Sequence, residues 1–242
     1  ARGLFRYYGA ATGRWSGRGI QPQNLPRNYL ADLDTARATI RQRDLDWMQM
    51  LYDDPSDVLS QCIRTALVPA AGTLFAVADY SAIEARIIAW LSGETWRLDV
   101  FRTHGKIYEA SAAQMFKVPI ESIGKGSDLR QRGKVAELAL GYQGSVGALK
   151  QMGALKMGVP EDALQGLVDK WREANPRIVS LWYEVERAAR ACIETRTQQI
   201  VGGIVRMTYH RGILFIRLPS GRALAYPKAP LRPHQKFPDR DE

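Results

Sequence analysis

The hydrophobic period of this chain changes sharply at Gly202-Gly203, and that change limits the folds open to it. Through the stretch before the pair the apolar residues recur at helical spacing; after it they alternate. Residues 161 to 173 place Leu164, Leu167, Val168 and Trp171 on one helical stripe. "NPR" at 175 to 177 interrupts it, because proline cannot continue the turn before it. Ile178, Leu181, Trp182, Val185, Ala188, Ala189, Cys192 and Ile193 then predict a second amphipathic helix. Beyond the glycine pair, "GIVRMTYHRGILFIRLPSGRALAYP" carries β-branched and aromatic residues, with "YHRG" and "PSGR" as predicted turns. Helices followed by a strand meander imply an α+β fold.

The remaining elements are read in the same way. Residues 1 to 30 are irregular and polar. Residues 34 to 67 predict two helical pieces broken near "DDPSD", with Ser56 as cap of the second. Residues 73 to 79 predict a short buried strand, and 82 to 92 a helix. "FRTHGKIYEASAAQMFKVP" predicts one further helix closed by Pro119. "LRQRGKVAELALGYQG" predicts a helix of about four turns ending in glycines. The tail from residue 227 to 242 shows no pattern of its own.

Charge narrows the class. The chain of 242 residues carries a net charge of +9, unevenly distributed. Residues 1 to 30 hold Arg2, Arg6, Arg14, Arg18 and Arg27 and no acid, and residues 203 to 240 hold eight Lys or Arg against Asp239 alone. Residues 31 to 60 are net acidic. Segregation of this kind favours a polyanionic partner, although a basic protein without such a partner would share the composition. No apolar run approaches the roughly 20 residues of a membrane-spanning helix, so no membrane association is expected. Cys62 and Cys192 lack metal-type spacing and read as reduced, intracellular thiols.

Three stretches could carry chemistry. In "FAVADYSAIEARIIAWLSGE" (75 to 94), Asp79 ends the predicted strand, where its carboxylate and the Tyr80 carbonyl offer oxygen ligands to a hard divalent cation. Ser81 and Glu84 also have the spacing of a capping box, a purely structural device. In the helix of 129 to 144, Arg130, Lys134, Leu138 and Tyr142 are spaced by four, and each step drifts about 40° round the axis, so they form one slowly winding face. A guanidinium fork and an ammonium one turn apart suit a triphosphate; a solvated basic helix end with a core tyrosine would look the same. "YYGAATGRWSGRGIQPQNLPR" mixes glycine with Arg, Gln and Asn, which suits approach to a sugar-phosphate backbone and base edges. No Walker sequence is present. "GYQGSVG" matches no nucleotide fingerprint, and His104, His210 and His234 are isolated.

Taken in order, these stretches resemble the motifs of family A DNA polymerases, the bacterial polymerase I class and its phage relatives. "DYSAIEARIIAWLSGE" is similar to motif A, "RQRGKVAELALGY" to motif B with its R-x3-K-x7-Y pattern, and "ATGRWSGRGIQPQNLPR" to the upstream TGR and QN-P motif. The resemblance implies a partial polymerase palm of antiparallel β elements with a mostly helical fingers subdomain. Residues 1–95 would be partial palm, thumb-palm junction and motif A; 96–200 the fingers; 201–242 a β-hairpin returning to the palm and a Pro-rich tail. It implies template-directed transfer of deoxynucleotides to a primer 3′-hydroxyl, with Asp79 and Lys134 catalytic. Asp79 and the Tyr80 carbonyl would serve two Mg²⁺ ions. Glu84 would exclude a 2′-hydroxyl, Arg130 and Lys134 would bind the triphosphate, and Leu138 and Tyr142 would border the incoming nucleotide. Arg14, Gln23, Asn24 and Arg222 would contact primer-template DNA. A monomer in the cytoplasm of a bacterial or phage-infected cell is expected.

The departures from the family pattern are specific. Leu138 stands where an aromatic residue is usual, Gln143 where glycine is usual, and Tyr108 where a histidine is usual. The His-Asp turn of motif C, which supplies a second metal carboxylate, has no counterpart: Gln235 follows His234, and Asp241-Glu242 lacks apolar flanks. The chain thus reads as a central piece of a polymerase that would not catalyse alone. A non-catalytic nucleic-acid-binding module is the alternative; a metal-dependent nuclease would need clustered carboxylates, and Asp79 alone is well placed.

Overall fold

A computed structural model describes residues 3–10, 12–26 and 28–231 of the chain. Arg2, Arg27, His234, Gln235, Asp241 and Glu242 lie outside the described residues. The fold is α+β, and the chain divides into two compact units, residues 1–79 and 80–242.

The first unit is built on three short helices. Helix α1 (Leu33–Gln42) ends where Arg43 turns left-handed at φ 58°. Asp44 caps α2 (Leu45–Leu51) by accepting from the Trp47 N–H. Asp54 caps α3 (Pro55–Cys62) by accepting from the Asp57 N–H, with Pro55 in the first helical position, where a missing N–H costs nothing. The two pieces expected over 34 to 67 are therefore three, and Asp54 rather than Ser56 is the cap. Ala36, Met48, Val58 and Cys62 form the core of this unit. The Gln61 side chain ties the preceding loop to the core, accepting from the Tyr29 N–H at 2.7 Å and donating to Asp57 at 2.6 Å. Upstream, β1 (Phe5–Arg6) and β2 (Ser16–Gly17) make a short antiparallel pair.

The strand expected over 73 to 79 is not formed. The segment is irregular, and Leu74 and Val77 are 93% and 90% exposed. A strand exists only while its N–H and C=O groups pair laterally, and no described strand pairs with this one.

The second unit contains α4 (Ile83–Ser92), α5 (Thr95–Arg102), α6 (Ile107–Phe116), α7 (Asp128–Leu140), α8 (Val146–Gln151), α9 (Leu164–Ala174) and α10 (Pro176–Thr195). The single helix expected from Phe101 to Pro119 is thus the end of α5 plus α6, which closes at Lys117 in the left-handed region before Pro119 is reached. One core cluster joins α6 to α9, with Val135, Leu140, Leu149, Leu164, Val168 and Trp171 buried and Ile178 of α10 against them. A second joins α10, through Leu181 and Cys192, to Val201, Val205, Met207 and Leu214 of the sheet. Ile88 of α4 packs on both clusters, so α4 and α10 carry one continuous interior across the unit.

The sheet is an antiparallel meander in the order β3 (Gln199–Val201), β4 (Val205–His210), β5 (Ile213–Arg217) and β6 (Ala223–Pro227). His210 pairs with Ile213, leaving Arg211-Gly212 as a two-residue loop with φ of 49° and 81°. Both angles are positive, as a type I′ turn requires to match the strand twist.

Helices α6 and α7 approach closely at Gly133. A Cβ there would lie 2.3 Å from the Tyr108 carbonyl oxygen and 3.0 Å from the Ala112 Cβ. Backbone cannot yield as a side chain can, so Gly133→Ala must part the helices. It is expected to destabilise the chain by about 1–3 kcal/mol, measured by urea unfolding; an unchanged midpoint would show that the contact is slack.

Candidate functional site

A cavity of about 120 Å³ lies in the second unit where α4, α5, α6 and α7 converge. Its walls include Glu84, Arg97, Tyr108, Glu137, Leu138 and Tyr142. Each side chain arrives there for a local reason. Ala82 adopts φ 51° and is the N-cap of α4, so Glu84 falls in the first helical turn, where the positive end of the dipole favours a carboxylate. Ser81 consequently sits one place outside the position that a capping box needs. Arg86 fixes this entry, donating from Nε to the Ser81 carbonyl at 3.0 Å and covering the Phe101 ring at 4.4 Å.

The floor of the cavity is a buried ion pair that the sequence reading missed. Arg97 of α5 is 1% exposed, and its guanidinium clasps both oxygens of Glu137 of α7, Nη1 to Oε1 at 2.8 Å and Nη2 to Oε2. Nη1 also donates to Asn175 at 2.9 Å, and Trp171 Nε1 donates to Glu137 Oε1 at 3.0 Å. Asn175 in turn donates to the Trp171 carbonyl at 2.7 Å. The one signal available in sequence was Glu137 amid the apolar run "VAELAL", a carboxylate that would need a buried partner.

Helix α7 orders the basic residues. Ser127 caps it, accepting from the Arg130 N–H at 3.3 Å. Arg130 does not point freely to solvent. Its Nε lies 2.6 Å from Glu109 Oε1, and its guanidinium is over the Tyr108 ring at 5.7 Å. Burial acts to raise the Glu109 pKa. Hydrogen bonds from Arg130 and from its own backbone N–H, with the charges of Arg130 and Lys106, outweigh burial and hold the carboxyl below the usual carboxylate range. The pair is therefore complete at neutral pH and lost only as acid titrates that lowered group. Lys134 is half-buried one turn further on and is not among the residues that line the cavity.

Arg130, Lys134 and Leu138 lie within α7, but the helix ends at Leu140, so Tyr142 does not continue their face. It belongs to the following turn, with Gln143 at φ 60° and Gly144 folded against the helix. A Cβ on Gly144 would lie 2.0 Å from the Ala139 carbonyl oxygen. The turn brings Tyr142 back to the cavity mouth.

The other predicted residues lie elsewhere. In the first unit, Gln23 and Asn24 are in a 3-10 turn, Pro22–Asn24, where Asn24 donates to Gln21 at 2.8 Å, and Arg14 is exposed. In the second unit, Arg222 closes the β5–β6 turn, its carbonyl accepting from the Leu218 N–H at 2.8 Å. Asp79 and Tyr80 are exposed in the irregular segment before α4. Among the described residues no group of three or more His, Cys, Asp or Glu side chains could hold a metal ion. Among the described residues no helix is long and apolar enough to cross a membrane.

The sequence profile of DNA polymerase family A matches residues 2–205. The chain is 57% identical to the DNA polymerase of Bacillus phage SP02 over 237 residues, 98% of this chain and 37% of the phage protein. It is 33% identical to DNA polymerase I of Pseudomonas aeruginosa over 158 residues, 65% of this chain and 16% of that protein. Among solved structures, the POL domain of Pol1 from M. smegmatis, in complex with DNA primer-template and dNTP, shares the fold, with a TM-score of 0.51 at 24% identity over 78% of this chain and 28% of that one. The chain belongs to DNA polymerase family A. It spans little more than a third of the length of the phage relative.

The Arg97–Glu137 pair allows a direct test of the cavity floor. Glu137→Gln leaves a buried guanidinium without its counter-charge and is expected to cost about 3–5 kcal/mol. Replacing both partners, Arg97→Met with Glu137→Leu, is expected to cost less than either single change. Denaturant unfolding measures all three; additive losses would mean that the two side chains act independently.

Proposed function

We propose that this chain carries the nucleotide-binding helix and part of the catalytic centre of a polymerase that adds deoxynucleotides to a primer 3′-hydroxyl under the direction of a DNA template. One observation carries the reading: in a family A chain, residues from motif A (Glu84) and motif B (Leu138 and Tyr142) line a single cavity. The solved relative that shares the fold was captured with primer-template and dNTP, which supports the same partners here.

The roles follow from position. Glu84 would lie under the incoming sugar, where a carboxylate and a 2′-hydroxyl would crowd each other. Leu138 offers the sugar an aliphatic surface in place of an aromatic one. Tyr142, on a turn rather than on the helix, would shift when the templating base enters. Arg130 and Lys134 would hold the triphosphate by charge. Arg14, Gln23, Asn24 and Arg222 would contact the duplex, mainly through backbone phosphates. Asp79 and the Tyr80 carbonyl would be one side of the divalent-cation site of the whole protein. Two Mg²⁺ ions bound there would activate the 3′-hydroxyl and neutralise the departing pyrophosphate. The assignments of 1–95 to palm, 96–200 to fingers and 201–242 to the returning hairpin belong to the same proposal, as does a monomer acting in the cytoplasm.

Kinetics in the whole protein test the triphosphate grip. Arg130→Ala and Lys134→Ala each remove a charge-assisted contact, so kcat/KM for the nucleotide should fall roughly ten- to hundredfold, with primer-template affinity little changed. Wild-type kcat/KM in both variants would return α7 to the role of a solvated helix.

The 242-residue chain alone is expected not to extend a primer, because its sequence has no counterpart of the His-Asp turn of motif C to join Asp79 and a loosely held cation cannot position the reacting groups. A gel assay with primed template, four deoxynucleotides and Mg²⁺ or Mn²⁺ decides this. Extension that disappears in Asp79→Ala would reveal a second carboxylate within the chain.

A further inference from the structure

We infer that Glu109 is a built-in competitor for the phosphate grip: it occupies Arg130 until a polyphosphate displaces it, and so lowers the affinity of any ligand that needs the guanidinium. The inference rests on the reading that Arg130 binds phosphate oxygens.

The geometry is that of a competitor already in place. Arg130 Nε and Glu109 Oε1 are 2.6 Å apart, with side chains only 24% and 14% exposed. The guanidinium is confined further by the Tyr108 ring on the same helix as Glu109. The pair stands at the edge of a second cleft, of about 620 Å³, whose polar lining is His104, Lys106, Glu109, Glu121, Lys125 and Arg130. That volume is within the roughly 300–1,000 Å³ usual for small-ligand clefts. It is separate from the smaller cavity that holds Glu84 and Tyr142.

Charge determines what can open the pair. A carboxylate on the same fold meets Arg130 at a high effective concentration, so a single phosphate arriving from solution gains little by replacing it. A polyphosphate is different. It can meet Lys106 and Lys125, both exposed on the same cleft, while another of its groups takes the guanidinium fork. Lys106 then remains beside Glu109 to balance the released carboxylate. Apparent affinity is lowered by the fraction of molecules in which Arg130 is engaged, and removing the competitor removes that penalty.

Titration calorimetry of the 242-residue chain with inorganic tripolyphosphate and with orthophosphate tests this. Glu109→Gln should tighten tripolyphosphate about tenfold and orthophosphate by no more than that, because only a ligand that displaces the carboxylate bears the full cost of opening the pair. Glu109→Asp, which keeps the charge but shortens the reach, should give a partial gain and serves if the glutamine variant folds poorly. Glu109→Gln combined with Arg130→Gln should lose the gain. Glu121→Gln, a carboxylate of the same cleft outside the pair, should give much less. An equal gain in Glu121→Gln, or none in Glu109→Gln, overturns the inference. If Arg130→Gln weakens tripolyphosphate binding while Glu109→Gln does not strengthen it, the inference alone fails and the phosphate role of Arg130 stands. If Arg130→Gln changes nothing in either background, that role fails too.

Discussion

A guanidinium and a carboxylate taken out of water must meet each other or be excluded from the interior, and in the second unit that requirement joins four helices at one point. Arg97 comes from α5, Glu137 from α7, Trp171 from α9 and Asn175 from the junction between α9 and α10. The hydrogen bonds are directional, so they set where α7 lies along its axis, which apolar packing alone would leave loose. Trp171 also stacks on Trp182 of α10 at 5.8 Å, extending the joint into the next helix. Since Glu137 is adjacent to Leu138, the position of the cavity wall depends on this buried pair.

The departures from the family pattern acquire a physical sense in the structure. Tyr108, at a position where the family resemblance implies a histidine, presents a ring face to the Arg130 guanidinium, a neutral surface that attracts a cation by its quadrupole. Glu109 follows it and takes the same guanidinium by charge. Two consecutive residues of α6 thus hold one residue of α7. At Gly133 the two helices are close enough to exclude a methyl group. Gln143, in place of glycine, accepts a left-handed backbone at φ 60°, a strained conformation for a residue with a side chain. The turn that carries Tyr142 to the cavity is held despite that strain by the packing of Gly144 on Ala139.

The two ends of motif A behave differently for a related reason. Helix α4 satisfies its own backbone, buries Ala89 and packs the half-buried Ile88 against neighbours, so it forms with what the unit supplies. The segment before it has strand composition, but a strand cannot pair with itself. Leu74, Phe75 and Val77 stay exposed with Asp79 and Tyr80.

Helices α7, α9 and α10, the β4–β5 turn and the α+β class were legible in the sequence. Each rests on local rules: apolar spacing, a proline in the first turn, two consecutive positive φ angles. Motif order was legible as well, because the spacing of Arg130 and Lys134 is a property of the chain. What could not be read was every feature that needs a partner distant in sequence. Glu109 and Arg130 are 21 residues apart and Arg97 and Glu137 are 40 apart; no periodicity connects them. The helix end at Gln42 depends on Arg43 taking a left-handed angle, and the fate of residues 73 to 79 depends on a lateral neighbour. The sequence by itself determined the helices, the turns and the identity of the chemical groups. Tertiary structure alone decided which charges meet, because burial turns a solvated charge into one that must find a fixed partner.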